Sequence, residues 1–353
     1  MASATERTLT SRELNRALLA RQHLLERARF SVPRVLERVA GLQAQYAPAM
    51  YIGLWTRLDG FQRADLTRAL EQRTVVQGTL MRSTIHLVSA RDYWPFAIGI
   101  RQPRRDWYQR VTRDKPPAAE LERAAQELRA SLMDGPVRRT ELDRMVTAAF
   151  RTGVGLWLDL VRVPPSGTWE RRRADLYAAA EDWLSRPATT AEEGVTLLVR
   201  RYLSGFGPAT RAEIADWAGL PVSEITETLA RLRAGARPAV RYFRAEDGAE
   251  LVDLARAPLP AAGTPAPVRF LPVWDATLLV HARRAGILAE EHRPKVFRTR
   301  NPHSVNTFLV DGTVAGTWRY EHGHVQIEEF DPLDKVVRRE VDEEAEKLAA
   351  FHA

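Results

Sequence analysis

An eight-residue pattern that occurs twice constrains the fold of this chain more than any other feature. Gly135 to Leu142 reads GPVRRTEL and Gly207 to Ile214 reads GPATRAEI, so Gly-Pro-x-x-Arg-x-Glu-aliphatic returns after 72 residues. A period that long is a whole small domain rather than a solenoid turn, and it points to duplicated modules. What surrounds the second copy defines the module. Thr190 to Ser204 has the spacing of an amphipathic helix, with Val195, Leu198 and Leu203 among its apolar residues. Thr210 is placed to cap a short helix through Trp217, with Glu213 completing a capping box. Gly219-Leu220-Pro221 breaks the chain, and Ser223 is expected to cap a third helix to about Arg233. Two β-like stretches follow, Ala239 to Phe243 and Glu250 to Leu254, around the turn signal Asp247-Gly248.

Helix, helix, tight turn, helix and hairpin is the winged-helix order. The first copy has the same surroundings, with helices expected over Ala118 to Met133 and Arg139 to Phe150. Gly155 to Val163 then leads into PPSGTW, a plausible wing tip. A more diverged version begins the chain. Its helices are expected over Ser11 to Ala20, Pro33 to Leu42 and Asp65 to Gln72, and its hairpin over Thr74 to Gly78 and Ser83 to Val88. The expected architecture is α+β and mainly helical, with three tandem winged-helix modules and a C-terminal β-hairpin region. Its divisions are 1–115, 116–188, 189–258, and a β-rich region with a closing helix over 259–353. Linker-like stretches rich in Pro, Ala and Thr lie at Arg113 to Glu120, Ser185 to Gly194 and Arg256 to Pro267.

Composition narrows the chemistry. The 353 residues include no cysteine, which excludes disulfides, thiolate metal sites and Cys nucleophiles. No apolar run is long enough to span a bilayer and no signal core opens the chain, so a cytoplasmic protein at the nucleoid is expected. The net charge is +7, and of 52 basic residues only Lys115, Lys295, Lys335 and Lys347 are lysine. Arginine suits phosphates and base edges, although codon usage in a GC-rich genome also enriches it. Phosphate-binding, nucleophile-elbow, zincin and dinucleotide motifs are all missing; the Gly153-Val154-Gly155 step lacks a third glycine. His322 and His324 alternate beside a hairpin turn and read as surface residues rather than metal ligands.

One motif is left, Gln43-Ala44-Gln45, set between apolar helical segments in VLERVAGLQAQYAPAMYIGLW. Two positions apart in extended chain, the two amides point the same way. They either tie a helix end to the following loop or converge on one water.

At this point the chain resembles the AlkZ/YcaQ-like DNA glycosylases. The resemblance is carried by GLQAQYAPAMYIGLWTRL, RSTIHLVSARDYW (Arg82 to Trp94), GFGPATRAEIADWAGL (Gly205 to Leu220), LPVWDATLLVHARR (Leu271 to Arg284) and LVDGTVAGTWR (Leu309 to Arg319). These segments stand in family order along nearly the whole chain. The resemblance implies that Gln43 and Gln45 are catalytic, in the Gln-hydrophobic-Gln branch whose members remove bulky N7-alkylpurines and in some cases unhook interstrand crosslinks. It further implies a cofactor-independent, metal-free, monofunctional enzyme acting as a monomer on duplex DNA that carries alkylated purines. The hairpin at Asp311 and Gly312, with Arg319, resembles a DNA-contacting element, and Arg82, Thr84 and His86 are expected to line the channel. Asp275 and Arg284 match the family's acid and arginine, although WDATLLVHARR departs from its usual Phe-Asp-Pro pattern. The rival expectation is a winged-helix transcription regulator without catalysis, which usually needs a dimer and a palindromic site.

Overall fold

A computed structural model describes residues 7–147, 153–234, 239–279, 286–297 and 304–353. The chain opens with β1 (Thr8–Leu9) and α1 (Ser11–Arg21), whose cap is Thr10 with Glu13 in a capping box. Then come α2 (Val32–Val39), β2 (Leu42–Gln43), α3 (Ala47–Trp55), α4 (Arg63–Glu71), and the hairpin of β3 (Val75–Thr79) and β4 (Ile85–Ser89). After α5 (Ala90–Val111), the succession returns as α6 (Ala118–Ser131), β5 (Val137–Arg138), α7 (Arg139–Met145), β6 (Leu160–Arg162) and β7 (Leu176–Ala179). It returns again as α8 (Ala191–Phe206), α9 (Arg211–Ala218), α10 (Val222–Arg233), β8 (Val240–Ala245) and β9 (Glu250–Leu254). The chain ends in β10 (Arg269–Leu271), β11 (Thr307–Val310), β12 (Thr313–Glu321), β13 (His324–Glu329) and α11 (Lys335–His352). No helix among the described residues is long and apolar enough to cross a membrane.

The repeated octapeptide has a structural meaning. In each copy one residue bridges to the hairpin and the next turn starts a helix. Val137 pairs with Tyr177 and Ala209 with Val252. The Glu141 carboxylate accepts from the Arg138 N–H at 3.2 Å, and that of Glu213 accepts from the Thr210 N–H at 2.7 Å. The diverged N-terminal version uses the same position: β2 pairs with β4 just before α3. The Gln-x-Gln motif therefore occupies the same bridge-then-helix step as the two octapeptide copies.

Several element ends differ from expectation. The helix expected to Leu42 stops at Val39, because Ala40 and Gly41 turn left-handed with φ of 65° and 78°. A Cβ on Gly41 would lie 2.9 Å from Val88 Cγ1 and 3.0 Å from the Leu87 carbonyl oxygen, so only glycine admits that turn. Ser223 is not the cap of α10. Pro221 takes that place, its missing N–H costing nothing at a helix start. The helix expected over Arg139 to Phe150 is seen to Met145, and residues 148–152 lie outside the described set.

Strand pairing crosses the sequence divisions. β2-β4-β3-β6-β7-β5 form one six-stranded sheet, joined where Gln77 pairs with Arg162 and Gly78 with Val161. β1 adds in parallel to β8, with Thr8 opposite Arg244, and completes a three-stranded sheet with β9. Arg21 at the end of α1 donates to both oxygens of buried Asp253 at 2.7 and 3.0 Å. The remaining strands form the four-stranded sheet β10-β11-β12-β13. With α11, they cover the apolar core under α2 and α3 through Phe270, Phe308, Trp318 and Leu348.

Candidate active site

The motif starts at the last residue of β2, Gln43, at one edge of the six-stranded sheet, and Ala44 and Gln45 follow the strand. Leu42 and Ala44 are buried, packed in the core with Leu87, while Gln43 is half-buried and Gln45 exposed. This alternation fixes which face each side chain takes, because a one-residue slip would drive both amides into the core. The Ala44 N–H donates to the Ile85 carbonyl at 2.8 Å, and Gln43 stands opposite His86 in the register. In an antiparallel ladder hydrogen-bonded and open pairs alternate, so Gln43 and His86 form an open pair, whose side chains approach more closely. The same register continued by two residues brings Gln45 level with Thr84.

Gln43 Nε2–H donates to Gln45 Oε1 at 2.7 Å. Neither amide bonds to main chain among the described residues, which leaves the Gln43 oxygen and the Gln45 nitrogen free to meet solvent or a ligand. Among the described residues the two side chains bond to each other and do not tie the strand to the following loop. Beside the pair, Tyr46 is 42% exposed at the start of α3.

His86 is buried, with Nδ1 3.0 Å from the Thr84 carbonyl. A carbonyl only accepts, so Nδ1 carries the proton and Nε2 keeps its lone pair. Burial, helped by the nearby charge of Arg82, pushes the imidazole down to about 3, so it is neutral at physiological pH. Thr84 is half-buried and donates through Oγ1 to the Met81 carbonyl at 3.1 Å. Arg82 has a left-handed backbone (φ 52°), and its Nη1 donates to the Trp217 carbonyl at 2.7 Å, linking this hairpin turn to α9.

The structure thus brings Gln43, Gln45, Thr84 and His86 to one sheet face, with Arg82 at the adjoining turn. The remaining expected residues belong elsewhere. Asp311 pairs with Arg12 and Arg16 of α1. Gly312 (φ 82°) is packed under that helix, where a Cβ would come within 2.6 Å of Arg16 Nη1, Asn15 Oδ1 and Leu19 Cδ1. Arg319 is exposed on β12, with Nε 3.2 Å from Glu321. Arg284 lies outside the described residues. Asp275 is buried against Arg57, at 2.8 and 2.9 Å. Burial alone would raise its carboxyl, but the guanidinium and Thr277 hold it below the usual range.

Sequence reasoning missed a second feature of the site. Arg162 on β6 donates to the Ala44 carbonyl at 3.3 Å, reaching the motif from a strand 118 residues further along the chain. The loop from β6 to β7 is anchored by Trp169, buried against Tyr51 and Phe351 with ring centroids 5.6 and 5.5 Å away. Past that anchor, Arg171, Arg172 and Arg173 are exposed. The signal in the sequence was the Trp-Glu-Arg-Arg-Arg run after the expected wing tip. Among the described residues no group of three His, Cys, Asp or Glu could hold a metal ion.

A family model described as DNA glycosylase AlkZ-like matches residues 36–351. An interstrand DNA cross-link repair glycosylase of Streptomyces sahachiroi is 23% identical, over 94% of this chain and 93% of its own length. The solved structure of Streptomyces sahachiroi DNA glycosylase AlkZ superposes with a TM-score of 0.81 at 19% identity, covering 98% of this chain and 97% of that one. This likeness extends to the mixed α and β architecture.

Proposed function

The chain belongs to the DNA glycosylase AlkZ-like family, and from that premise we propose that it hydrolyses the N-glycosidic bond of N7-alkylated purines in duplex DNA. Bulky adducts are included, and interstrand crosslinks are proposed on the strength of the relative's name. The observation that carries the reading is the Gln43–Gln45 pair, its amides bonded to each other and their remaining polar atoms free at a sheet edge.

A purine alkylated at N7 is already cationic, so it departs without a strong acid. As the C1′–N9 bond breaks, its electron pair goes to the purine, and positive charge gathers on the sugar in an oxocarbenium-like transition state. The free oxygen of Gln43 accepts from one water and turns its lone pair toward C1′, and the amide dipoles offset the charge. A water oxygen–C1′ bond forms, the water proton passes to solvent, and an abasic site and a neutral alkylpurine remain. Neutral amides suit this chemistry because the leaving group brings its own charge.

Arg171, Arg172 and Arg173 are proposed to bind phosphate, as is Arg162 beside the motif. The rival regulator reading is disfavoured by α10, the helix that would read bases in a winged helix: its half-buried Glu224 and exposed Glu227 would repel DNA. The protein is proposed to act as a monomer in the cytoplasm, without metal or cofactor, its three winged-helix modules divided near 115 and 188.

The test uses a duplex containing N7-alkylguanine. Wild type is expected to yield alkali-labile sites and no strand break without alkali. Gln43→Ala and Gln45→Ala are each expected to slow single-turnover excision by roughly 100-fold, with duplex affinity little changed. Variants that cut as fast as wild type would remove the motif from the mechanism.

A further inference from the structure

The orientation of the Gln43 amide decides what it can do for a water. An amide is nearly symmetric in shape, and a water bound to its nitrogen end would present a hydrogen, not a lone pair, to the sugar. Some contact must decide which end faces the duplex. Gln45 Oε1 takes one N–H of Gln43, but both side chains lie at the open edge of the sheet, where that bond can exchange with water.

The neighbour across the ladder is buried His86. Its Nδ1–H is committed to the Thr84 carbonyl, so Nε2 can only accept. On its other side β3 contributes Gly78, with the ring of Tyr93 closing over it. The imidazole therefore has its Nδ1–H tied to main chain, and His86 stands in the ladder between Gly78 on one side and Gln43 on the other. Cβ atoms of residues directly opposite in an antiparallel pair lie about 4.5–5.5 Å apart, within reach of an imidazole and a primary amide.

We infer that His86 is a positioning residue for Gln43: its Nε2 lone pair accepts the second amide N–H, holding the nitrogen inward and turning the oxygen toward the attacking water. This role rests on the proposed glycosylase reading and goes beyond it. It also separates His86 from DNA contact, for which a buried neutral side chain is ill suited. Burial and Arg82 serve the role by keeping the lone pair unprotonated. His86 acts through Gln43 and touches neither base nor sugar.

The experiment is a double-mutant cycle on the full chain, with a duplex carrying a single N7-methylguanine. It reads single-turnover excision rate, duplex affinity and thermal melting for wild type, His86→Phe, His86→Gln, Gln43→Ala and the double variant Gln43→Ala with His86→Phe. Phe keeps the volume and loses the lone pair, whereas Gln keeps an acceptor. His86→Phe is expected to slow excision roughly 10- to 100-fold with affinity within about twofold of wild type, and His86→Gln is expected to recover most of the rate. In the Gln43→Ala background His86→Phe is expected to add less than about a twofold loss, because a residue that acts through another adds little once the other is gone. Equal losses in Phe and Gln variants that melt like wild type overturn the inference, as does the same fold-loss with and without Gln43. An inert wild type overturns the glycosylase reading itself, and the inference with it; an active wild type with an additive cycle overturns the inference alone.

Discussion

Arg57 and Asp275 meet with both side chains withdrawn from water, and Arg57 also donates to the Gly53 carbonyl and Gln22. Breaking such a pair strands one charge in the core. Asp275→Ala is expected to cost about 3–5 kcal/mol, and replacing both partners with apolar residues should recover much of the loss. Urea denaturation of the two variants checks this. The pair also marks a limit of sequence reading at the single-residue scale. Asp275 stood out in the sequence, but its partner is 218 positions away and nothing near Arg57 announces it. Gln43 and Gln45 were legible because strand alternation and the apolar residues around them act locally. Arg162 was not, since it reaches the motif only through the β3–β6 pairing.

At the scale of elements, the turn between β11 and β12 carries a clear cost for change. Gly312→Ala combines a left-handed backbone with a clash against α1, and a loss of about 1–3 kcal/mol is expected; a thermal melt unchanged from wild type would contradict it. The β6–β7 loop bears a different expectation, tied to its proposed phosphate contacts. Alanine at Arg171, Arg172 and Arg173 together should weaken binding to damaged and undamaged duplex alike. The log–log salt slope should flatten by about one for each arginine on a phosphate. Affinity titrations across salt concentration measure both. Element ends were readable where a cap or turn signal acts locally: Thr210 with Glu213, and Gly248 (φ 84°) in the β8–β9 hairpin. They were misread where the backbone breaks a residue's habit. Ala40 ends α2 at positive φ, two residues before the end expected for that helix. The continuous sheet from β2 to β5 was hidden because its joining pairs, Gln77 with Arg162 and Gly78 with Val161, lie far apart in the chain.

For the whole molecule, three histidines give stability a direction with pH. Burial lowers His23 to about 4, with Arg57 and Arg38 adding to it. Burial likewise lowers His86 to about 3, and His352, near Arg172 and Arg63, to about 4. An unfolded histidine titrates near 6.5, so between those values the unfolded chain binds more protons than the folded one. Stability is therefore complete above about pH 6.5 and falls as pH drops toward about 4. Urea midpoints that decline from pH 7 to pH 4.5 are expected, and a flat profile would refute the expectation. The first strand has a consequence in time. Thr8 and Leu9 hold to β8, and Arg21 to Asp253, so the start of the chain waits for partners more than two hundred residues downstream. During synthesis β1 and α1 therefore stay without these partners until β9 has been made.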